Sequence, residues 1–176
     1  MKPFTLSPEN AHCRVLTFKE GVLSRLGHDL AFDVRTFSIE GLEDGTMRGT
    51  FRPSSLHAAG AIHDGKVSPL STSDRESIEG TTAKEVLNVS RFPEVTFEGA
   101  IDGEKGSFTG TLTLHGVTRT ISGTVTSVDG GTRAITTFVP SEFGIRPYRA
   151  MLGALRVEDR VRVEIEARDI ALSDSM

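Results

Sequence analysis

Val157-Glu158-Asp159-Arg160-Val161-Arg162-Val163-Glu164-Ile165-Glu166-Ala167-Arg168 alternates residue by residue between two chemistries. In an extended chain Val157, Asp159, Val161, Val163, Ile165 and Ala167 share one side, and Glu158, Arg160, Arg162, Glu164, Glu166 and Arg168 share the other. Five of six positions on the first side are apolar against none of six on the second, the pattern of a strand with one dry face and one wet face. Similar runs recur at 12–18, 28–38, 45–52, 94–102, 107–115, 118–128 and 132–140, and with 156–170 they make eight expected strands. Eighteen glycines and only seven prolines suit strands joined by tight turns. The expectation is an all-β fold, and eight antiparallel strands can form either a closed barrel or a two-sheet sandwich.

The chain has 176 residues, most simply a single domain over 1–176. At 19.0 kDa it is large enough to bury roughly 70% of its unfolded surface. Twenty Lys and Arg against 24 Asp and Glu leave a net charge of −4, which points to neither disorder nor general nucleic-acid affinity. The lone cysteine, Cys13, excludes an intramolecular disulfide and a four-cysteine zinc site. No stretch is apolar enough for a secretory leader or a membrane span, so the expected location is cytoplasmic, or periplasmic if a leader has been removed.

Residues 53–93 interrupt the alternation. A loop is expected at 53–60, followed by short helices near 74–79 and 83–90 with Ser73/Glu76 and Thr82/Glu85 as capping boxes and Gly80 between them. Ile78, Val86, Leu87 and Val89 could cover one end of a barrel.

The hairpin within 108–125 is read with Gly116-Val117 as a two-residue turn. That register sets His115 against Thr118, Leu114 against Arg119, Leu112 against Ile121, Gly110 against Gly123 and Phe108 against Val125. Paired glycines on the inner face leave either a notch for a ligand or a sharp bend. On the ligand reading, replacing both by leucine fills the notch and leaves the fold intact. Parity places Leu30, Phe32, Val34, Val95, Phe97, Phe108, Gly110, Leu112, Ile121, Gly123, Val125, Val161, Val163 and Ile165 inside. These are the expected ligand-binding residues, since an eight-stranded barrel can hold one small ligand.

Signals for chemistry are sparse. None of the five histidines has metal-ligand spacing, and there is no nucleophile elbow or phosphate-binding glycine loop. His28 next to Asp29 is the most suggestive pair, although neighbours on a regular strand face opposite ways. Cys13 reads as a small buried hydrophobe. The segment 145–156 carries Arg146, Arg149 and Arg156 and no acid, so these arginines are candidates to hold an anionic head group.

Taken together, Phe4-Thr5-Leu6-Ser7-Pro8, Arg91-Phe92-Pro93-Glu94-Val95-Thr96-Phe97, Gly110-Thr111-Leu112-Thr113-Leu114-His115-Gly116-Val117-Thr118-Arg119, Phe143-Gly144-Ile145 and Val157-Glu158-Asp159-Arg160-Val161 resemble the YceI-like family of lipocalin-like, polyisoprenoid-binding proteins. The resemblance implies an antiparallel barrel whose apolar tunnel holds a long isoprenoid, quinone or acyl-chain ligand, with no chemistry performed and no cofactor. It also implies a bacterial protein. Two other readings stand beside it: a small enzyme at the barrel mouth using His28 and an arginine of 146–156, and a filled-core interaction module acting through 53–93. Self-association as a homodimer through a free strand edge is open in all three.

Overall fold

The alternating stretch at the end of the sequence becomes the longest strand of a single curled antiparallel sheet. The structure, a computed structural model, describes residues 2–20 and 28–168. Its strands in chain order are β1 (Phe4–Leu6), β2 (Ala11–Glu20), β3 (Asp29–Val34), β4 (Phe37–Gly41), β5 (Thr46–Phe51), β6 (Leu56–His63) and β7 (Lys66–Ser68), then β8 (Val95–Asp102), β9 (Ser107–Leu114), β10 (Val117–Val128), β11 (Gly131–Phe138), β12 (Arg149–Ala150) and β13 (Leu155–Arg168). One α-helix, α1 (Thr72–Thr81), runs directly into a π-type turn at Thr82–Val86. Across the sheet the order is β1-β4-β5-β8-β9-β10-β11-β13-β2-β3-β6-β7, with β12 paired to β13. No helix among the described residues is long and apolar enough to cross a membrane.

The two ends of this sheet are brought together by chain corners. β1 passes to β2, β3 to β4 and β5 to β6, so strands consecutive in sequence lie at opposite ends of the strand order. The first corner is fixed by the Ala11 N–H donating to the Ser7 carbonyl at 2.9 Å and by the Asn10 side chain reaching Thr5. The other two tie to each other, Arg35 N–H to the Ser55 carbonyl at 3.2 Å and Arg52 N–H to the Thr36 carbonyl at 3.0 Å. Backbone groups that a flat sheet would leave open at these positions are thereby satisfied.

The all-β, barrel-like expectation holds, with thirteen strands rather than eight among the described residues. The run 28–38 divides at the Arg35-Thr36 corner into β3 and β4. The stretch read as a loop at 53–60 holds a helical turn at Pro53–Ser55 and the first five residues of β6, whose Ala58, Ala59 and Gly60 carry little strand propensity. Gly60 is needed there because a β-carbon would run into the Ser68 carbonyl of β7. The helical segment is one helix, not two. Ser71 caps it by accepting from the Asp74 N–H at 3.1 Å, and Gly80 lies inside the helix with open space at its β-carbon position.

The β9–β10 hairpin also departs from its expected register. Its two-residue turn is His115-Gly116, with φ of +53° and +75°, so Leu114 pairs with Val117 and Leu112 with Arg119. Two successive left-handed residues are what a type I′ turn requires, and that turn matches strand twist. The offset from expectation is two residues, so every side chain keeps its face. The glycine pairing does change: Gly110 lies between Gly99 of β8 and Ile121 of β10, and Gly123 faces Phe108.

These glycines leave no notch. A β-carbon added at 99, 110 or 123 would come within 2.6 Å of the Cζ atom of Phe97 or Phe108, because the ring tips reach over the bare backbone. At Gly110 it would also meet the Gly99 Cα at 2.6 Å. The glycines therefore permit close backbone approach and curvature, with an aromatic ring covering each. The expectation that leucines at 110 and 123 leave the fold intact is overturned. Gly110→Ala should cost about 1–3 kcal/mol as an overpacked site, read as a lower urea midpoint; an unchanged midpoint would contradict the close approach.

Candidate functional site

Two clusters of buried side chains form on the inner face of the sheet. One contains Met47, Phe97, Phe108, Leu112, Val125, Phe143 and Ile145, and the other Leu6, Cys13, Val34, Phe37, Ile39 and Ala167. Phe4 and Phe51 touch both. Between them the inward aliphatics Val15, Leu30, Ile121, Val161, Val163 and Ile165 are only half-buried. They border a cavity of about 490 Å³, lined by residues from nearly every strand and overwhelmingly by apolar groups. A packed interior would bury these residues completely. The volume falls within the ~300–1,000 Å³ of small-molecule sites.

Of the residues that parity placed inside, all but Gly110 and Gly123 line this cavity. Those two are displaced from it by the rings of Phe97 and Phe108. Sequence reasoning missed a second part of the wall, Phe4, Leu6, Ile39, Met47 and Phe51 from β1, β4 and β5. The expected cover is present in part: Ile78, Val86 and Leu87 line the cavity, Val89 does not, and Ser77, Thr81 and Thr82 of the helical segment join them. The cover is anchored to β6 at Ala58. Glu79 Oε1 accepts the Ala58 N–H at 2.9 Å, Arg75 Nε donates to the Ala58 carbonyl at 3.2 Å, and His57 Nδ1 meets the same Glu79 oxygen at 3.0 Å.

Polar lining is concentrated where the cavity meets solvent. Ser77, Arg146 and Tyr148 border the cavity and are themselves exposed, so the opening lies between α1 and the 146–148 segment. Glu158 is there as well, contrary to its expected place on the wet face. A bulge in β13 sets Val157 against Lys19 and Val161 against Thr17, four residues spanning the length of two, and this breaks the alternation. Asp159, expected inside, instead accepts hydrogen bonds from the backbone N–H (3.0 Å) and the hydroxyl of Ser141. The Glu158 carboxylate is held by Arg160 at 3.0 Å, and the Arg160 guanidinium also lies over the Phe18 ring at 4.3 Å. Deeper in the wall, the Thr136 hydroxyl donates to the Ser122 carbonyl at 2.8 Å, so its polarity is spent internally.

The three head-group candidates separate. Arg146 lines the opening and makes no hydrogen bond or ion pair among the described residues. Arg156 is paired with Glu20 at 3.3 Å, and Arg149 is an exposed residue of β12 opposite it. Neither lines the cavity. His28 is absent from the lining too; its ring packs edge-on against His63 at 5.3 Å, while Asp29 accepts the Lys19 N–H at 2.8 Å. The mouth is therefore not built from His28 and an arginine, and the interior is not filled as an interaction module would have it.

The motif residues have a structural task. The Phe92 ring packs on His115 at 4.1 Å, and it occupies the space a β-carbon on Gly116 would need. Gly144 lies against His115, and Phe143, wholly buried, packs edge-on against Phe138 at 5.3 Å. These residues fasten the loop before β8, the β9–β10 turn and the segment after β11 at one end of the sheet.

A family model described as a YceI-like domain matches residues 23–168. Among solved structures, Burkholderia cenocepacia BcnA is similar at a TM-score of 0.60 and 14% identity, over 92% of this chain and 97% of that one. A polyisoprenoid binding domain from Saccharophagus degradans, implicated in plant cell wall breakdown, is similar at 0.59 and 10% identity, over 96% and 99%. No curated protein matches the sequence.

Cys13 lines the cavity with its side chain almost wholly inaccessible. Burial first, and the nearby negative charge of Asp33 second, push its thiol up to about 12 from an ordinary 9.0. The native state therefore holds this proton at pH values where the unfolded chain has released it, so stability falls as pH rises from about 9 towards 12. Cys13→Ala should flatten that alkaline decline in urea titrations. At neutral pH an aromatic disulfide reagent should label the native thiol only as fast as the protein unfolds; rapid labelling without denaturant would show an accessible thiolate.

Proposed function

The chain belongs to the YceI-like family, and from that membership and its hollow interior we propose that it binds one long apolar ligand of isoprenoid, quinone or fatty-acid type. The observation that carries this reading is the cavity wall. Inward aliphatics on β2, β3, β10 and β13 are half-buried because they face space rather than one another. Burying ligand methylenes there yields ~0.8 kcal/mol each. A chain of roughly ten methylenes thus gains ~8 kcal/mol before the costs of ordering it, enough for carriage or sequestration. The polyisoprenoid binding domain of Saccharophagus degradans, alike in fold, supports the same class of ligand.

The arrangement suits a chain with one polar end. Arg146 and Tyr148 stand at the opening, and the wall beyond them offers mostly Val, Leu, Ile and Phe. With Glu158 already paired to Arg160, Arg146 supplies one uncompensated positive charge for a carboxylate or phosphate head. The reading is of a binder that performs no chemistry on its ligand, since the lining gathers no set of convergent acids, bases and nucleophiles.

Two measurements test it. Titration with the fluorescent probe dansyl-undecanoic acid should saturate at one molecule per chain, and Val163→Phe should cut uptake while leaving stability unchanged or higher. In a filled core the same change would cost about 1–3 kcal/mol of stability, and that result would contradict the reading. Arg146→Ala should weaken binding of a long-chain carboxylate about tenfold and leave the corresponding alcohol unaffected; equal losses for both would remove Arg146 from head-group recognition.

A further inference from the structure

The cavity lining leaves the chain at Tyr148 and resumes at Val157, so the residues between them stand on the rim of the opening. They form a short two-stranded projection, with Arg149 opposite Arg156 and Ala150 opposite Leu155. Its base is closed by the Val157 N–H donating to the Tyr148 carbonyl at 2.9 Å, and its tip is the turn Met151–Gly153. Leu152, at the centre of that turn, is fully exposed, more so than any other large hydrophobic residue among those described. It is held at φ +56° and ψ +31°, in the left-handed region. A branched apolar side chain is disfavoured there on two counts: the conformation suits glycine, and the side chain gains no burial within its own chain. Folding alone thus gives no reason for leucine at 152.

The charge around the tip has one sign. Between Ile145 and Arg156 there are three arginines and no acid. Arg156 is neutralised by Glu20, whereas Arg146 and Arg149 are exposed and without an ion-pair partner among the described residues. Of the flanking acids, Glu158 is held by Arg160, and Glu142 lies on the short helical turn Pro140–Phe143. The projection is a local positive patch on a chain of net charge −4. Tyr148, 40% exposed, lies beside it.

An exposed leucine, a tyrosine and unpaired guanidiniums match the layers of an anionic bilayer surface: acyl boundary, head-group level and lipid phosphate. We propose that the β12–β13 projection docks the cavity opening onto an anionic lipid surface, so that an apolar ligand passes between bilayer and cavity without crossing bulk water. The inference rests on the ligand reading above for its purpose, while the docking itself has its own readout.

The experiment is flotation of the full chain with vesicles of phosphatidylcholine, with and without phosphatidylglycerol, alongside solution binding of dansyl-undecanoic acid. The wild-type chain should float with the anionic vesicles and not with the neutral ones. Arg149→Glu and Leu152→Gly should each lower flotation by roughly tenfold, with dansyl-undecanoic acid binding retained. Leu152→Gly also relieves the left-handed backbone, so its melting temperature should be equal or higher, which separates lost docking from lost folding. Flotation of both variants at the wild-type level, or no wild-type flotation with anionic vesicles, would overturn the proposal. Flotation with no probe uptake would uphold the docking surface and overturn the ligand reading instead.

Discussion

Where Phe97 and Phe108 reach over the backbones of Gly99, Gly110 and Gly123, the missing side chains let the strands approach closely and the sheet curl. The two rings also meet edge to face at 5.8 Å, so adjacent strands are clasped from inside by a single aromatic pair. Tight curvature there lets the strand path return on itself, and the chain corners at 7–10, 35–36 and 52–55 then join its ends. Side chains drawn from opposite ends of the strand order consequently face one another across a space wider than they can fill.

That space persists because cohesion is divided. Phe97, Phe108 and Phe143 anchor one buried cluster, and Phe37, Cys13 and Ile39 anchor the other. Each closes a part of the interior completely, leaving β10 and β13 to carry half-buried valines and isoleucines between them. A hollow interior forfeits dispersion contacts that a filled one would have. Evolution towards stability alone would fill it with larger side chains at positions such as Val163, which the wall has room to receive. The helical segment covers the space without filling it, held through Ala58 by Glu79 and Arg75, while polar groups collect at the opening beside Arg146 and Tyr148.

Strand identity and facing were legible in the sequence because period-two alternation survives any even shift in register. The β9–β10 hairpin shows this: its turn falls one residue earlier than expected, yet Leu112, Ile121 and Val125 still point inward. The partner of Gly110 in β10 was misread because the turn falls one residue early; its other partner, Gly99, follows from the four-residue β8–β9 loop that sets Asp102 opposite Ser107. Nor did alternation reveal the bulge in β13, which carries Glu158 to the opening and releases Asp159 to Ser141. β6 was hidden because its alanines and its one glycine carry little strand propensity, Gly60 being needed for the close approach of β7. Of the motif residues, Phe92, His115 and Phe143 proved to fasten one end of the sheet, and their value as a family signature reflects packing more than contact with the cavity.

The central claim is that the interior is open and apolar and is occupied by one chain-like lipid. Native mass spectrometry of the purified protein, followed by organic extraction of any adduct, addresses it most directly. The account predicts a single adduct at one per chain, lost on denaturation and identified as a long isoprenoid, quinone or acyl lipid. A bare protein mass that stays unchanged after incubation with farnesol and with palmitate would contradict it.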